Sequence, residues 1–145
     1  AIEHGSFRDD EVNRLFAGAN YGWDPVDYGA GTSYDESGPM TDLDRYPDAR
    51  PAVWSSGTST IAPSGGTFLS GEQWVGWDRA LVMAVLKDRQ LRVLGFDGTG
   101  NSVDLEWTSV TNQGRLRAAV QGPDGALYVA VDSSAGRILR IVPTG

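Results

Sequence analysis

The stretch from Gly114 to Gly145 reads GRLRAAVQGPDGALYVAVDSSAGRILRIVPTG, three short apolar runs separated by glycine-bearing turns. One strand ends at Val120 before the turn Gly122-Pro123-Asp124-Gly125, and Ala126 to Val131 and Arg137 to Val142 supply two more. In that turn Asp124 is expected to accept nearby backbone N–H groups while Gly125 takes a positive φ. Short antiparallel strands of this kind are laid out radially in β-propellers. The chain has only 145 residues, so the pattern predicts an all-β fold with too few blades to close a ring.

Further strands are expected at Ala1 to His4, Glu11 to Leu15, Ser64 to Leu69, Ala80 to Val85, Gln90 to Phe96 and Leu105 to Ser109, with Lys87-Asp88-Arg89 as a polar turn. The expected organisation is the end of one blade at residues 1–16, a long loop region at 17–58, one blade at 59–113 and a last blade at 114–145. A structureless loop of that length inside a compact domain is usually functional or wrongly assigned. The spacing of the last two blades fits the roughly 40–50 residues of propeller modules, which makes about two and a half blades where closed propellers use about four to eight. Such a fan exposes apolar faces and strand edges, so the missing N-terminal blades or a second copy of the chain is the expected partner. A helix from Glu72 to Leu94, with Asp78 as an early acidic residue, is the competing local reading. The charged turn after Val85 and the strand-like Leu91, Val93 and Leu94 favour two strands.

Composition narrows the function. With 40% hydrophobic and 21% charged residues the chain can bury a core, and 19 glycines and 7 prolines gather between short apolar runs. A net charge of -7 without a basic stripe argues against a nucleic-acid partner. No run approaches membrane-span length. The absence of cysteine excludes a disulfide framework and a thiolate nucleophile. No basic-then-apolar leader opens the chain, so any targeting segment is expected upstream or removed.

Two clusters carry possible chemistry. Glu3-His4-Gly5-Ser6-Phe7-Arg8-Asp9-Asp10-Glu11, followed by Asn20-Tyr21-Gly22-Trp23, is rich in oxygen donors. It suits a hard cation such as calcium, although its spacing is not that of an EF-hand, and an acidic solvated turn is the plainer reading. The second cluster is Lys87 with Arg115 and Arg117. The two arginines share one strand face, and adjacent guanidiniums repel unless an anion lies between them, either an Asp or a carboxylate-bearing small molecule. Surface ion pairing is the alternative. Trp74, Trp77 and Phe68 are expected to pack between blades.

Taken in order, EHGSFRDDEVNRL-x-x-GANYGW, VWSSGTSTIAPSG, the KDRQLRV turn and GRLRAAVQGPDGALYVAVDSSAGRILRI resemble the soluble pyrroloquinoline-quinone-dependent sugar dehydrogenases, which include the aldose sugar and glucose/sorbosone dehydrogenases. The resemblance covers nearly the whole chain and corresponds to the C-terminal part of a six-bladed propeller. It implies oxidation of an aldose sugar at C1 to the lactone, with calcium and pyrroloquinoline quinone, in the periplasm or outside the cell. It places calcium at the carbonyls of Gly5 and Ser6, where Ser6 replaces the family's usual proline, or at Glu11 and Tyr21. It assigns the quinone carboxylates to Lys87, Arg115 and Arg117. The Trp-Thr-Pro segment that usually precedes Ile-Ala-Pro-Ser is replaced around Gly57-Thr58-Ser59-Thr60, so the cofactor face is expected to be covered differently. The family's general-base histidine lies on an earlier blade; His4 is not its equivalent, and no catalytic residue is expected in this chain. A non-catalytic β-propeller fragment that binds or assembles is the alternative function. Lactone hydrolysis at a calcium centre using Glu3, His4 and Asp10 is a third, and it leaves the cationic cluster unexplained.

Overall fold

Strand-forming runs alternate with tight turns along the computed structural model, which describes residues 1–26 and 34–143. Residues 27–33 of the long excursion lie outside the described residues. All three sheets are antiparallel, and they match a partial β-propeller blade arrangement. The chain divides into two compact units, Ala1–Thr60 and Ile61–Gly145. Among the described residues no helix is long and apolar enough to cross a membrane.

Unit 1 holds one small sheet of two-residue strands, β1 (Ile2–Glu3), β2 (Glu11–Val12) and β3 (Trp54–Ser55), in the order β1-β2-β3. Strand β2 stops short of Leu15. Beyond Val12 the Asn13 side chain turns back to the Glu11 carboxylate at 3.0 Å, while the Asn13 N–H donates to the Ala1 carbonyl. Loops supply the rest of the unit, and their backbone N–H groups find side-chain acceptors: Gly5 donates to Asp10, Gly22 to Asn20 and Arg45 to Asp42.

Unit 2 begins with a four-stranded sheet, β4 (Pro63–Phe68), β5 (Leu81–Val85), β6 (Gln90–Phe96) and β7 (Val103–Ser109), paired in chain order. A three-stranded sheet follows, β8 (Leu116–Gln121), β9 (Leu127–Val131) and β10 (Arg137–Ile141), in the order β10-β9-β8. Strands therefore occupy the region where a helix from Glu72 competed. Gly71 to Arg79 instead form a run of turns, in which the Asp78 carboxylate accepts the Gly71 N–H at 2.9 Å. The Gly122–Gly125 turn closes as its residues dictate: Gly125 has φ 77°, and Asp124 accepts the Ala126 N–H.

The two sheets of unit 2 bury a common core. Val82, Ala84, Leu91 and Val93 from one face of the first meet Leu116, Ala119, Leu127, Val129 and Val131 of the second, with Leu69 and Trp74 in the same cluster. Side chains of β5 alternate between faces, so Leu81, Met83 and Val85 belong to the opposite face and are buried as well. Trp74 is buried, stacks on Trp77, and donates its indole N–H to the Gly125 carbonyl at 2.9 Å, tying the Gly71–Arg79 turns to the last sheet. Phe68 departs from expectation: it is exposed and pairs with the Phe96 ring at 6.1 Å.

Where the sheets touch, each carries a β-bulge. Ser64 is the extra residue between Pro63 and Gly65 of β4, and Arg117 is the extra residue between Leu116 and Ala118 of β8. The Ser64 hydroxyl lies 3.1 Å from both the Leu116 and Ala84 carbonyls and donates to one of them. A Cβ added at Gly65 would come within 3.4 Å of the Arg117 carbonyl oxygen and the Ala118 Cα. Glycine there lets the two backbones approach closely, which fixes where Arg117 sits.

Candidate cofactor-anchoring site

Arg115 and Arg117 flank buried Leu116, and strand alternation leaves both arginine side chains toward solvent while Leu116 enters the core. The structure brings the pair onto one carboxylate oxygen. Arg115 Nε donates to Asp132 Oδ2 at 3.1 Å, and Arg117 Nη2 donates to the same oxygen at 3.0 Å. The Asp132 N–H returns a 2.7 Å bond to the Arg115 carbonyl, so backbone and side chain fix the same two positions. The hydrogen bond from Arg115 first, then the charge of Arg117, hold the Asp132 carboxyl below the usual carboxylate range. Two cations share one anion, so the cluster keeps a net positive charge in a chain of net charge -7.

Lys87 stands in the turn between β5 and β6. Its N–H donates to the Ile61 carbonyl and the preceding Leu86 N–H donates to Ala62, which anchors the turn beside the start of β4. Register places the turn relative to the arginines: Pro63 pairs with Val85, Ser64 reaches the Leu116 carbonyl, and Leu116 pairs with Val131. Lys87, Arg115 and Arg117 consequently occupy the same end of unit 2.

The oxygen-rich cluster lies in unit 1. Glu11 is buried; its carboxylate accepts from Asn13 Nδ2 at 3.0 Å, and the Thr41 hydroxyl sits 2.9 and 3.1 Å from its two oxygens. Burial pushes the Glu11 carboxyl above its ordinary range, and the bonds from Asn13 and Thr41 pull part of the way back. Asn13 is buried too, and among the described residues its Oδ1 has no donor. Tyr21 has other partners: its hydroxyl accepts the Phe16 N–H and donates to the Arg14 carbonyl, both at 2.8 Å. Gly5 is held by a 2.8 Å bond from its N–H to buried Asp10, and a Cβ there would lie 1.7 Å from the Arg8 carbonyl oxygen. Ser6 follows in an exposed bend. His4 Nδ1 lies 3.8 Å from Asp10 Oδ1. Among the described residues, no three His, Cys, Asp or Glu side chains form a group able to hold a metal by themselves.

Asp132, Asn13 and Thr41 were not singled out from the sequence. An unbroken ladder counted outward from Gln121 opposite Leu127 would set Asp132 against Leu116. The bulge moves Val131 there and brings Asp132 to Arg115. Thr41 is 30 residues from Glu11 and carries no local signal.

The chain matches the glucose/sorbosone dehydrogenase family over residues 1–140. It is 35% identical to the uncharacterized protein slr1608 of Synechocystis over 97% of its own length and 33% of that protein, and 29% identical to the aldose sugar dehydrogenase YliI of Escherichia coli over 97% of its length and 37% of that enzyme. A glucose dehydrogenase structure superposes with a TM-score of 0.79 at 26% identity, covering 99% of this chain and 40% of that one. The quinone-bound aldose sugar dehydrogenase of Streptomyces coelicolor shares the fold, with a TM-score of 0.64 at 24% identity over 97% of this chain and 38% of that one. The chain belongs to the glucose/sorbosone dehydrogenase family. It spans between a third and two fifths of the length of these relatives.

Proposed function

We propose that this chain is the C-terminal, cofactor-anchoring part of a quinone-dependent dehydrogenase that oxidises an aldose sugar at C1 to its lactone. The observation that carries the reading is the pair of arginines gathered on one oxygen of Asp132, at the same end of unit 2 as Lys87. Planar guanidiniums suit carboxylates, and pyrroloquinoline quinone is a flat tricarboxylate. The donor chemistry therefore fits the group, with Arg115, Arg117 and Lys87 as its anchors. Held by these residues, the quinone would supply the redox chemistry, as the sink for the hydride the sugar loses. The residues of this chain bind and orient; the proton-accepting histidine belongs, by family, to another blade.

Calcium fits unit 1 on a separate observation, the buried Asn13 Oδ1, which lacks a donor among the described residues and lies beside the Glu11 carboxylate. A hard cation takes six to eight oxygens, and Glu11 and Asn13 would share them with oxygens of Tyr21 or with the carbonyls of Gly5 and Ser6. Bound calcium would neutralise the buried Glu11 carboxylate.

The test is a calcium-loaded titration with pyrroloquinoline quinone. The wild type is expected to take up quinone. Replacing both Arg115 and Arg117 by Gln is expected to abolish uptake with little change in unfolding midpoint, because neither side chain is in the core. Equal affinity in the double variant, or no uptake by the wild type, would overturn the assignment.

A further inference from the structure

We infer that Asp132 is a positioning residue, the group that sets the geometry of Arg115 and Arg117 for an anionic ligand. The inference rests on the reading that those arginines take the quinone carboxylates, and it adds a third member to the site. Asp132 Oδ2 accepts from Arg115 Nε and Arg117 Nη2, while each guanidinium has five N–H donors. Most donors of both arginines are thus uncommitted to Asp132, which leaves a planar fork on each to meet a second carboxylate.

Arg115 and Arg117 share a side of the strand by two-residue alternation, and the bulge at Arg117 brings Asp132 opposite Arg115, where its N–H closes on the Arg115 carbonyl. Alternation therefore makes the cationic pair, and one local irregularity supplies its counter-charge. All three side chains are a third or more exposed, and exposed ion pairs add little to stability. The arrangement does little for the fold. What it does accomplish is to hold two long, flexible side chains in one orientation, so that less conformational entropy is lost when a ligand arrives.

Positioning and simple charge balance predict changes of opposite sign. Removing the Asp132 charge leaves the arginine pair more positive, which by Coulomb attraction alone would tighten the hold on a tricarboxylate. If Asp132 positions the pair, its loss weakens that hold. The experiment compares wild type, Asp132→Asn and Asp132→Glu by calcium-loaded titration with pyrroloquinoline quinone, with unfolding midpoints measured alongside. We expect tenfold or weaker binding in Asp132→Asn, partial recovery in Asp132→Glu, and midpoints close to wild type in both. Equal or tighter binding by Asp132→Asn overturns the inference.

A second readout separates this claim from the quinone reading. In 15N NMR spectra the Arg115 Nε–H is expected to exchange with water at least tenfold faster in Asp132→Asn than in wild type. If the wild type takes up no quinone, the functional reading falls and this exchange rate decides the positioning claim. An unchanged rate overturns it.

Discussion

Unit 1 buries its polar side chains and unit 2 exposes them. Asp9, Asp10, Glu11, Asn13, Asp42 and Thr60, which are the buried polar residues among those described, all fall in unit 1, whose named strands are two residues long. Unit 2 has strands of five to seven residues and an apolar core, with Arg115, Arg117 and Asp132 at its surface. The contrast follows from backbone satisfaction. A regular ladder pairs its own N–H and C=O groups and leaves the interior to hydrocarbon. Irregular loops must find other acceptors, and buried carboxylates and amides supply them. Glu11 is held differently, by the side chains of Asn13 and Thr41, and its burial raises its carboxyl above the ordinary range.

The largest expected effect lies in the core of unit 2. Leu127→Ala removes a fully buried side chain and is expected to cost about 3 kcal/mol of unfolding free energy, read by chemical denaturation. Val12→Ala, which touches the short sheet of unit 1, should cost less than half as much. Equal losses would mean that the two units do not differ in where their stability resides.

A smaller effect is expected at Thr41. Thr41→Val keeps the shape and removes a donor to the buried Glu11 carboxylate, for a loss of about 1–2 kcal/mol near neutral pH. The Glu11 carboxyl should also titrate higher, and a side-chain carboxyl NMR titration reads this directly. A lower Glu11 value would show that Thr41 is not its support.

The smallest effect is in pH dependence, and here the two units should differ in sign. The folded-state value of Glu11 is raised above 4.5, so its contribution is complete below that pH and is lost as pH rises through the raised value. Asp97 is the opposite case: hydrogen bonds from Thr99, and then from the Asn101 N–H, lower it from 3.8 to about 2. Its contribution is present above 3.8 and is lost as pH falls toward 2. Denaturation measured between about pH 2 and pH 7 should lose its upper slope in Glu11→Gln and its acid limb in Asp97→Asn. Added calcium should reverse the Glu11 slope if that carboxylate holds the ion; an unchanged slope would place calcium elsewhere.

Much of unit 2 was legible in the residues because its signals are local. Alternating apolar runs end at glycine-bearing turns, and β6 runs from Gln90 to Phe96 as its pattern implies. Gly125 takes its positive φ because its turn requires one. Unit 1 was less legible. Glu11 to Leu15 reads as a strand, yet β2 spans only Glu11–Val12, and beyond it Asn13 exchanges backbone hydrogen bonds with Ala1 while Arg14 and Leu15 join no strand. Phe68 reads as an inter-blade residue from its type alone, but the alternation along β4 turns it to solvent.

By itself the sequence determined the all-β texture, the positions of the turns, the acidic balance and the family, since each depends on residue type and order along the chain. Only the tertiary structure decided which charges meet. A single extra residue in β8 changes the partner of every residue beyond it, and that bulge lies where Gly65 lets β4 approach the Arg117 carbonyl and where Ser64 reaches Leu116. Packing between two sheets, which no local pattern encodes, thus put Asp132 beneath the arginine pair, just as loop closure over 30 residues put Thr41 on Glu11.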